Sequence, residues 1–143
     1  MDGDLFYGAA YSGGEEQYAH PEVQTENGNT PLAGDYMERA FDLNEQLIKN
    51  KPATYFFRMN GDAMQGAGIF SGDTLIVDRS MNAANGKVVV AVLNGELLVR
   101  RLERNFNKIR LVPETSKLSP IDVDPSGAEF GVWGVVTYVI HAV

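Results

Sequence analysis

The pattern of apolar and polar positions divides the chain at about residue 30. Residues 1–30 hold glycine and acidic clusters with little apolar periodicity to bury, which predicts a flexible N-terminal arm. From there the apolar positions follow helical and then strand periodicities, so residues 31–143 are predicted to form one folded domain.

A helical pattern begins at Asp35. Apolar side chains recur at helical spacing over residues 36–47, and Asp35 with Glu38 three residues later has the form of a capping box. This spacing predicts one helix, or two short helices that meet near Asp42. Pro52 is expected to end the helical segment, because proline disfavours the helical conformation in the residue before it.

The remainder of the chain is rich in β-branched and aromatic residues, which predicts strands. Asn94-Gly95 between two apolar runs predicts a two-residue hairpin, since a type I′ turn needs positive φ at both central residues. A second turn is predicted at residues 105–107. The predicted strands cover residues 54–57, 74–77, 88–93, 96–102, 108–112 and 132–140. The fold class is therefore a mainly β domain with a short N-terminal helical segment and no internal repeat.

Composition limits the classes of function. The chain has no cysteine, which excludes disulfides, zinc–thiolate sites and thiol nucleophiles and fits a reducing cytoplasm. The acidic N-terminus lacks a secretory pattern and no segment approaches the ~20 apolar residues that span a bilayer, so we expect a cytoplasmic protein without membrane association. The formal net charge of -7 argues against direct binding of duplex DNA, which depends on clustered cations.

Other candidate residues carry weaker signals. Three basic residues, Arg100, Arg101 and Arg104, are interpreted as a solvated strand face rather than a nucleic-acid site. His20 and His141 lie far apart, without a carboxylate or cysteine at metal-ligand spacing. The glycines form neither GxGxxG nor a P-loop. We therefore expect no metal and no cofactor.

Five short motifs occur in the order and spacing of one peptidase family. They are Gly61-Asp62-Ala63-Met64, Val99-Arg100-Arg101-Leu102 within residues 95–102, and residues 52–56, 71–78 and 130–136. From about Asp35 to its C-terminus the chain resembles the UmuD/LexA family of self-cleaving serine peptidases, and Asp42-Leu43-Asn44 favours UmuD over LexA. The resemblance implies a coiled β-sheet domain of the LexA/signal-peptidase type.

The resemblance also implies that both catalytic positions are substituted. The serine nucleophile of the family falls at Ala63 and its lysine general base at Arg100, and the backbone amides of Asp62 and Ala63 correspond to the oxyanion hole. Alanine has no hydroxyl, and a guanidinium keeps its proton below about pH 12, so the chain is expected not to cleave itself. Arg100 is expected to turn toward solvent or to pair with an acidic neighbour.

In this family the substrate is the chain's own N-terminal arm, cut at a Cys-Gly or Ala-Gly bond. Counting back 36 residues from Ala63 reaches Asn27-Gly28, which we predict to be the relic of that site and to lie outside the groove or loosely within it. Ala33-Gly34 has the expected dipeptide but lies only 30 residues back. The alternative interpretation of Asn27-Gly28 is a simple turn.

The function implied by the resemblance is regulatory. We expect a homodimer, paired through the strand at residues 132–140, that partners a UmuC-like Y-family polymerase in SOS-induced, error-prone translesion synthesis. In the family a RecA-nucleoprotein filament promotes cleavage, so this chain would stay uncut. Two alternatives remain open. One is an active Ser/Lys self-peptidase whose nucleophile was changed to Ala63, against which Arg100 argues; the other is an accessory regulator of mobile-element origin that binds LexA-like or UmuD-like partners.

Overall fold

The computed structural model describes residues 5–10, 42–124, 126–127 and 129–143 of the chain. Its elements are α1 Leu43–Leu47 and the strands β1 Leu5–Ala10, β2 Thr54–Met59, β3 Thr74–Asp78, β4 Val88–Leu93, β5 Glu96–Asn105, β6 Lys108–Val112, β7 Ile121–Val123 and β8 Phe130–Ile140. The strands form one antiparallel sheet in the order β1-β2-β3-β8-β4-β5-β6-β7. The predicted mainly β fold class is confirmed. Within the described ranges, no helix has the length and apolar character needed to cross a bilayer.

The described helix begins where the sequence predicts a boundary. The Asp42 carboxylate accepts a hydrogen bond from the Asn44 N–H at 2.9 Å and caps α1. The helix ends at Leu47, and a 3-10 turn over Lys51–Ala53 follows, so the proline lies in that turn rather than at the helix end. Residues 35–41 lie outside the described residues, and a first helix there stays a prediction.

The two predicted hairpins are present. Asn94 and Gly95 join β4 to β5 with φ of 51° and 85°, the positive values that a type I′ turn requires. The strands β5 and β6 pair up to Asn105 and Lys108, and Phe106 begins the two-residue turn between them. Both turns therefore form where the local sequence predicts them.

The two edges of the sheet are strands that the sequence pattern does not predict. Leu5–Ala10 pairs with β2 from Leu5 opposite Met59, whereas the sequence pattern predicts no strand there. The flexibility of the arm over residues 1–30 stays a prediction. The other edge, Ile121–Val123, is only three residues long, too short to show a periodicity. The predicted boundary at residue 30 lies outside the described residues and stays a prediction.

A polar turn follows β7. Asp124 accepts hydrogen bonds from the N–H and the hydroxyl of Ser126 at 2.9 and 2.8 Å. These two bonds, the backbone one first, lower the pKa of the Asp124 carboxyl.

The long strand β8 connects two halves of the sheet. Its first part, up to Val135, pairs with β4, and its second part, from Val135 onward, pairs with β3. Register shifts fall at Trp133 and Thr137, as β-bulges that bend a strand do. Gly134 lies between them because a Cβ there would approach Val77 Cγ1 to 2.6 Å. Because of this bend, β8 contributes side chains to two hydrophobic clusters.

These two clusters form the core. The first surrounds Trp133, whose ring packs edge-on against Tyr55 and Phe57 at centroid distances of 5.0 and 4.9 Å. The second is built on β4, β5 and β6 around Leu102 and Leu111. The candidate site lies at the first cluster.

Candidate functional site

The Gly-Asp-Ala-Met motif forms a tight loop after β2. Gly61 has a φ of 111°, and its N–H donates to the Ser71 hydroxyl at 3.3 Å. Ala63 is 1% exposed and Met64 is fully buried, and both belong to the first core cluster. A 3-10 turn over Gln65–Ala67 follows directly. The predicted nucleophile position is therefore held inside the fold rather than on a surface loop.

The predicted base position is also buried. Arg100 lies on β5 opposite Val89 of β4, is 2% exposed, and its Nη1 donates to the Val99 carbonyl at 2.8 Å. Arginine is almost never fully buried in proteins, so this position is unusual. The expectation that Arg100 turns toward solvent is wrong, because β4, β5 and their neighbours enclose the side chain. Its pairing with an acidic neighbour stays a prediction.

Core packing brings the loop and β5 together. Ala63 belongs to the same buried cluster as Val99, the residue that precedes Arg100, and Val90 of β4. The structure thus places the two sequence-predicted segments against one core. The assignment of Ala63 and Arg100 as the two dyad positions remains a proposal.

A segment after β6 fixes the loop through main-chain hydrogen bonds. The Glu114 N–H donates to the Ala63 carbonyl at 2.8 Å, and the Gly66 N–H donates to the Glu114 carbonyl at 2.7 Å. The Glu114 carboxylate accepts from Arg101 Nε at 2.6 Å, and Arg101 Nη1 donates to the Gly86 carbonyl at 2.7 Å. Loop, β5 and the segment after β6 are therefore joined in one network.

Sequence reasoning missed Glu114 and interpreted Arg101 as part of a solvated face. The contacts of Glu114 with the loop use only its backbone, which leaves no side-chain signature in the sequence. Another ion pair, from Lys117 Nζ after β6 to Asp62 in the loop at 3.3 Å, is largely exposed. By its exposure it contributes little to stability.

The backbone amides of Asp62 and Ala63 are the two groups predicted to correspond to the family's oxyanion hole. Within the described residues, the N–H groups of Asp62 and Ala63 donate to no acceptor, while the Ala63 carbonyl is occupied by Glu114. Two adjacent N–H groups of this kind can donate hydrogen bonds to a peptide carbonyl oxygen. Their role as an oxyanion hole stays a proposal.

The other residues singled out in the sequence lie outside the described residues. They are His20 and the two candidate relics of the cleavage site, Asn27-Gly28 and Ala33-Gly34.

Substitution of Gly66 by alanine tests this network. A Cβ at Gly66 would come within 2.6 Å of the Glu114 carbonyl oxygen, a backbone atom that cannot rotate away. We expect Gly66→Ala to lower the free energy of unfolding by about 1–3 kcal/mol, measured by urea denaturation. Gly131→Ala is the matched control, since a Cβ there meets no atom within 4 Å. Equal stability of the two variants would show that Gly66 is not held against Glu114.

Sequence comparisons identify relatives over most of the chain. A family model described as Peptidase S24-like matches residues 16–137. The protein ImpA of Salmonella typhimurium and that of Escherichia coli are each 32% identical over 144 residues, covering 96% of this chain and 94% of the relative.

Other relatives are longer proteins. The LexA repressor of Bordetella avium is 37% identical over 114 residues, which cover 80% of this chain and 53% of the repressor. The chain thus spans about half the length of the LexA repressors that it matches.

Proposed function

This chain belongs to the Peptidase S24-like family, and we propose that within it the chain is a UmuD-like regulatory subunit that cannot cleave itself. The sequence-based assignment to the LexA/UmuD group is confirmed at the level of the family. One observation carries the proposal: the two positions that match the family's dyad, Ala63 and Arg100, are both buried in the fold yet hold residues without the required chemistry.

The chemistry of a Ser/Lys dyad requires a hydroxyl and a neutral amine in contact. A desolvated lysine can lose its proton near neutral pH and then accept the serine proton. Ala63 offers no oxygen for the attack, and arginine at position 100 supplies no neutral amine to act as the base. Burial of Arg100 supports the assignment, because the family's base position is one that excludes water. The alternative of an active parent enzyme changed only at residue 63 is disfavoured by Arg100.

In the proposed role the chain acts in the cytoplasm, in the SOS response and in error-prone translesion synthesis. Its proposed partners are a UmuC-like Y-family polymerase and a RecA-nucleoprotein filament. Support comes from the motifs that resemble UmuD and from relatives along nearly the whole chain. The similarity to LexA repressors favours a second candidate, an accessory regulator that binds LexA-like or UmuD-like partners. The neighbouring genes would separate these two roles.

Absence of self-cleavage is the first expected result. The purified chain should stay intact at pH 10, where a lysine-dependent dyad would work faster, because neither nucleophile nor base is present. Intact mass spectrometry would detect any fragment. Appreciable conversion at Asn27-Gly28 would contradict the proposal.

The proposed homodimer has structural support at β8. Only the first part of β8 pairs with β4, so residues 136–140 have β3 on one side and no described strand on the other. Tyr138 and Ile140 in this part are 43% and 47% exposed. An open strand edge with apolar side chains is a template for pairing with a second chain. We propose that two copies associate here.

Sedimentation tests the dimer. The chain should sediment as a dimer at micromolar concentration, and Tyr138→Lys should shift it toward the monomer, since a charge on a strand edge opposes pairing. Leu118→Lys is the control, because Leu118 has similar exposure but lies outside β8. A monomeric unmodified chain, or equal effects of the two substitutions, would count against this interface.

A further inference from the structure

The tip of the β5–β6 hairpin carries an aromatic side chain that the fold does not use. Among the residues whose burial the structure describes, only the C-terminal Val143 is a more exposed large hydrophobic residue than Phe106, and the Phe106 ring is fully accessible. It also has a φ of 42°. A bulky residue in this region of backbone space is a genuine outlier, and no packing compensates for it here.

Glycine would adopt the backbone conformation of Phe106 with less strain. In the two-residue connection between Asn105 and Lys108, only the first position, Phe106, has positive φ, which is the pattern of a type II′ turn. Type II′ turns use glycine at that position. The sequence therefore breaks a local rule without a gain in packing, and such departures occur at functional positions.

Unpaired cations flank the ring. Arg104 and Lys108 are exposed, and among the described residues neither has a carboxylate within salt-bridge distance. Two nearby carboxylates, Glu103 on β5 and Asp122 on β7, are already engaged, since Arg110 contacts them at 3.7 and 3.0 Å. The tip is thus locally basic on a chain whose formal net charge is -7.

This surface differs from the basic cluster seen in the sequence. Arg100 is buried and Arg101 is paired with Glu114, so of the three arginines only Arg104 is exposed without an ionic partner among the described residues. The exposed basic surface in the structure therefore consists of Arg104 and Lys108, with Phe106 between them in the sequence. Asn105 and Asn107 are the remaining residues of this exposed run.

We propose that this hairpin tip, defined by Arg104, Phe106 and Lys108, binds single-stranded nucleic acid. An exposed ring with open faces is a platform on which any base can stack, and flanking cations contact phosphates. A convex tip suits an unpaired strand, whose bases are free, and not a duplex, whose bases are already stacked. This inference is independent of the peptidase-like site, because no residue of the tip belongs to it.

Two cations set the strength and salt dependence. With two phosphates neutralised, the logarithm of the association constant should fall with the logarithm of salt concentration with a slope of about -1.4. Between 20 and 100 mM salt, binding should weaken about tenfold. The overall negative charge of the chain makes the interaction weak, so it should be measured at low salt.

The test uses a short fluorescein-labelled oligothymidine and fluorescence anisotropy on the full chain. Phe106→Gly should weaken binding about tenfold or more, since stacking on the ring is lost. The same substitution should raise Tm by a few degrees, roughly 3 °C, because glycine relieves the positive φ. A residue with a merely structural role would not combine higher stability with weaker binding.

Controls separate stacking from charge. Arg104→Glu should weaken binding, while Lys49→Glu, which makes the same change in net charge at an exposed lysine on another part of the chain, should change it less than about twofold. An oligomer of abasic deoxyribose phosphates should bind like the Phe106→Gly variant binds oligothymidine. Lack of saturable binding at low salt, equal affinity of Phe106→Gly and the unmodified chain, or equal effects of the two charge reversals would overturn the proposal.

Discussion

Replacing Asp73 by alanine is expected to lower the free energy of unfolding by about 3 kcal/mol. Asp73 is 3% exposed, and its carboxylate accepts from the Phe70 N–H at 2.8 Å and lies 2.6 Å from His141 Nδ1. Its carbonyl accepts from the Met59 N–H at 2.8 Å, which fixes the same turn to β2. Alanine would leave the Phe70 amide without its acceptor and would release the C-terminal segment at His141.

Two further substitutions separate the contribution of the His141 contact from that of the Phe70 amide contact. His141→Ala should cost about 1 kcal/mol, because His141 is half exposed and water can replace it beside Asp73. Asp73→Asn retains an oxygen for the Phe70 amide and should fall between the two. Urea denaturation measures all three. If Asp73→Ala were no more destabilising than His141→Ala, the contact with the Phe70 amide would not contribute as described.

Local features were predictable from the sequence because their causes are local. Asn94-Gly95 determines a turn by its own backbone preferences, and the adjacent apolar runs determine the strands on either side. Asp42 capped the helix through a contact only two residues away. Such interactions need no knowledge of the tertiary fold.

Tertiary features were not predictable in the same way. Leu98, Val99 and Arg100 are buried in succession, although strand alternation would expose one of them, because other elements cover both faces of β5 there. The division of β8 between β3 and β4 also depends on the folded sheet. His141 was interpreted from its sequence neighbours alone, and the carboxylate that it contacts belongs to Asp73, 68 residues away.

The candidate site also combines features that the sequence predicts with features that depend on the tertiary fold. Its motif residues could be found from spacing and resemblance, whereas the support that holds them could not. Glu114 contacts Ala63 and Gly66 through its main chain, and main-chain hydrogen bonds depend little on residue type. The burial of Arg100 likewise follows from how the strands are enclosed rather than from its own chemistry.

Restoring both halves of the dyad is expected to restore self-cleavage. Ala63→Ser alone should remain nearly inert, because arginine at position 100 does not supply the neutral amine that the dyad requires. Ala63→Ser combined with Arg100→Lys should cut faster by about a hundredfold or more, the range that a positioned general base contributes. Arg100→Lys alone is the matched control, since it supplies a base without a nucleophile and should not cut.

The fold should tolerate these changes. Ala63 is held by Glu114 through its carbonyl, which serine retains, and lysine replaces a side chain of similar length at Arg100. Thermal unfolding of each variant would confirm that any difference in cutting is not a difference in folding. A faster rate at higher pH in the double variant would identify the lysine as the base, because its neutral fraction increases with pH.

The most direct measurement is intact mass spectrometry of the unmodified chain, the Ala63→Ser variant and the Ala63→Ser, Arg100→Lys variant, incubated side by side at pH 10. Only the doubly substituted chain should produce fragments, and their masses should place the cut at Asn27-Gly28. Equal cutting by the Ala63→Ser variant and the doubly substituted chain would show that Arg100 is not at the base position. Cutting by the unmodified chain would contradict the loss of the dyad itself.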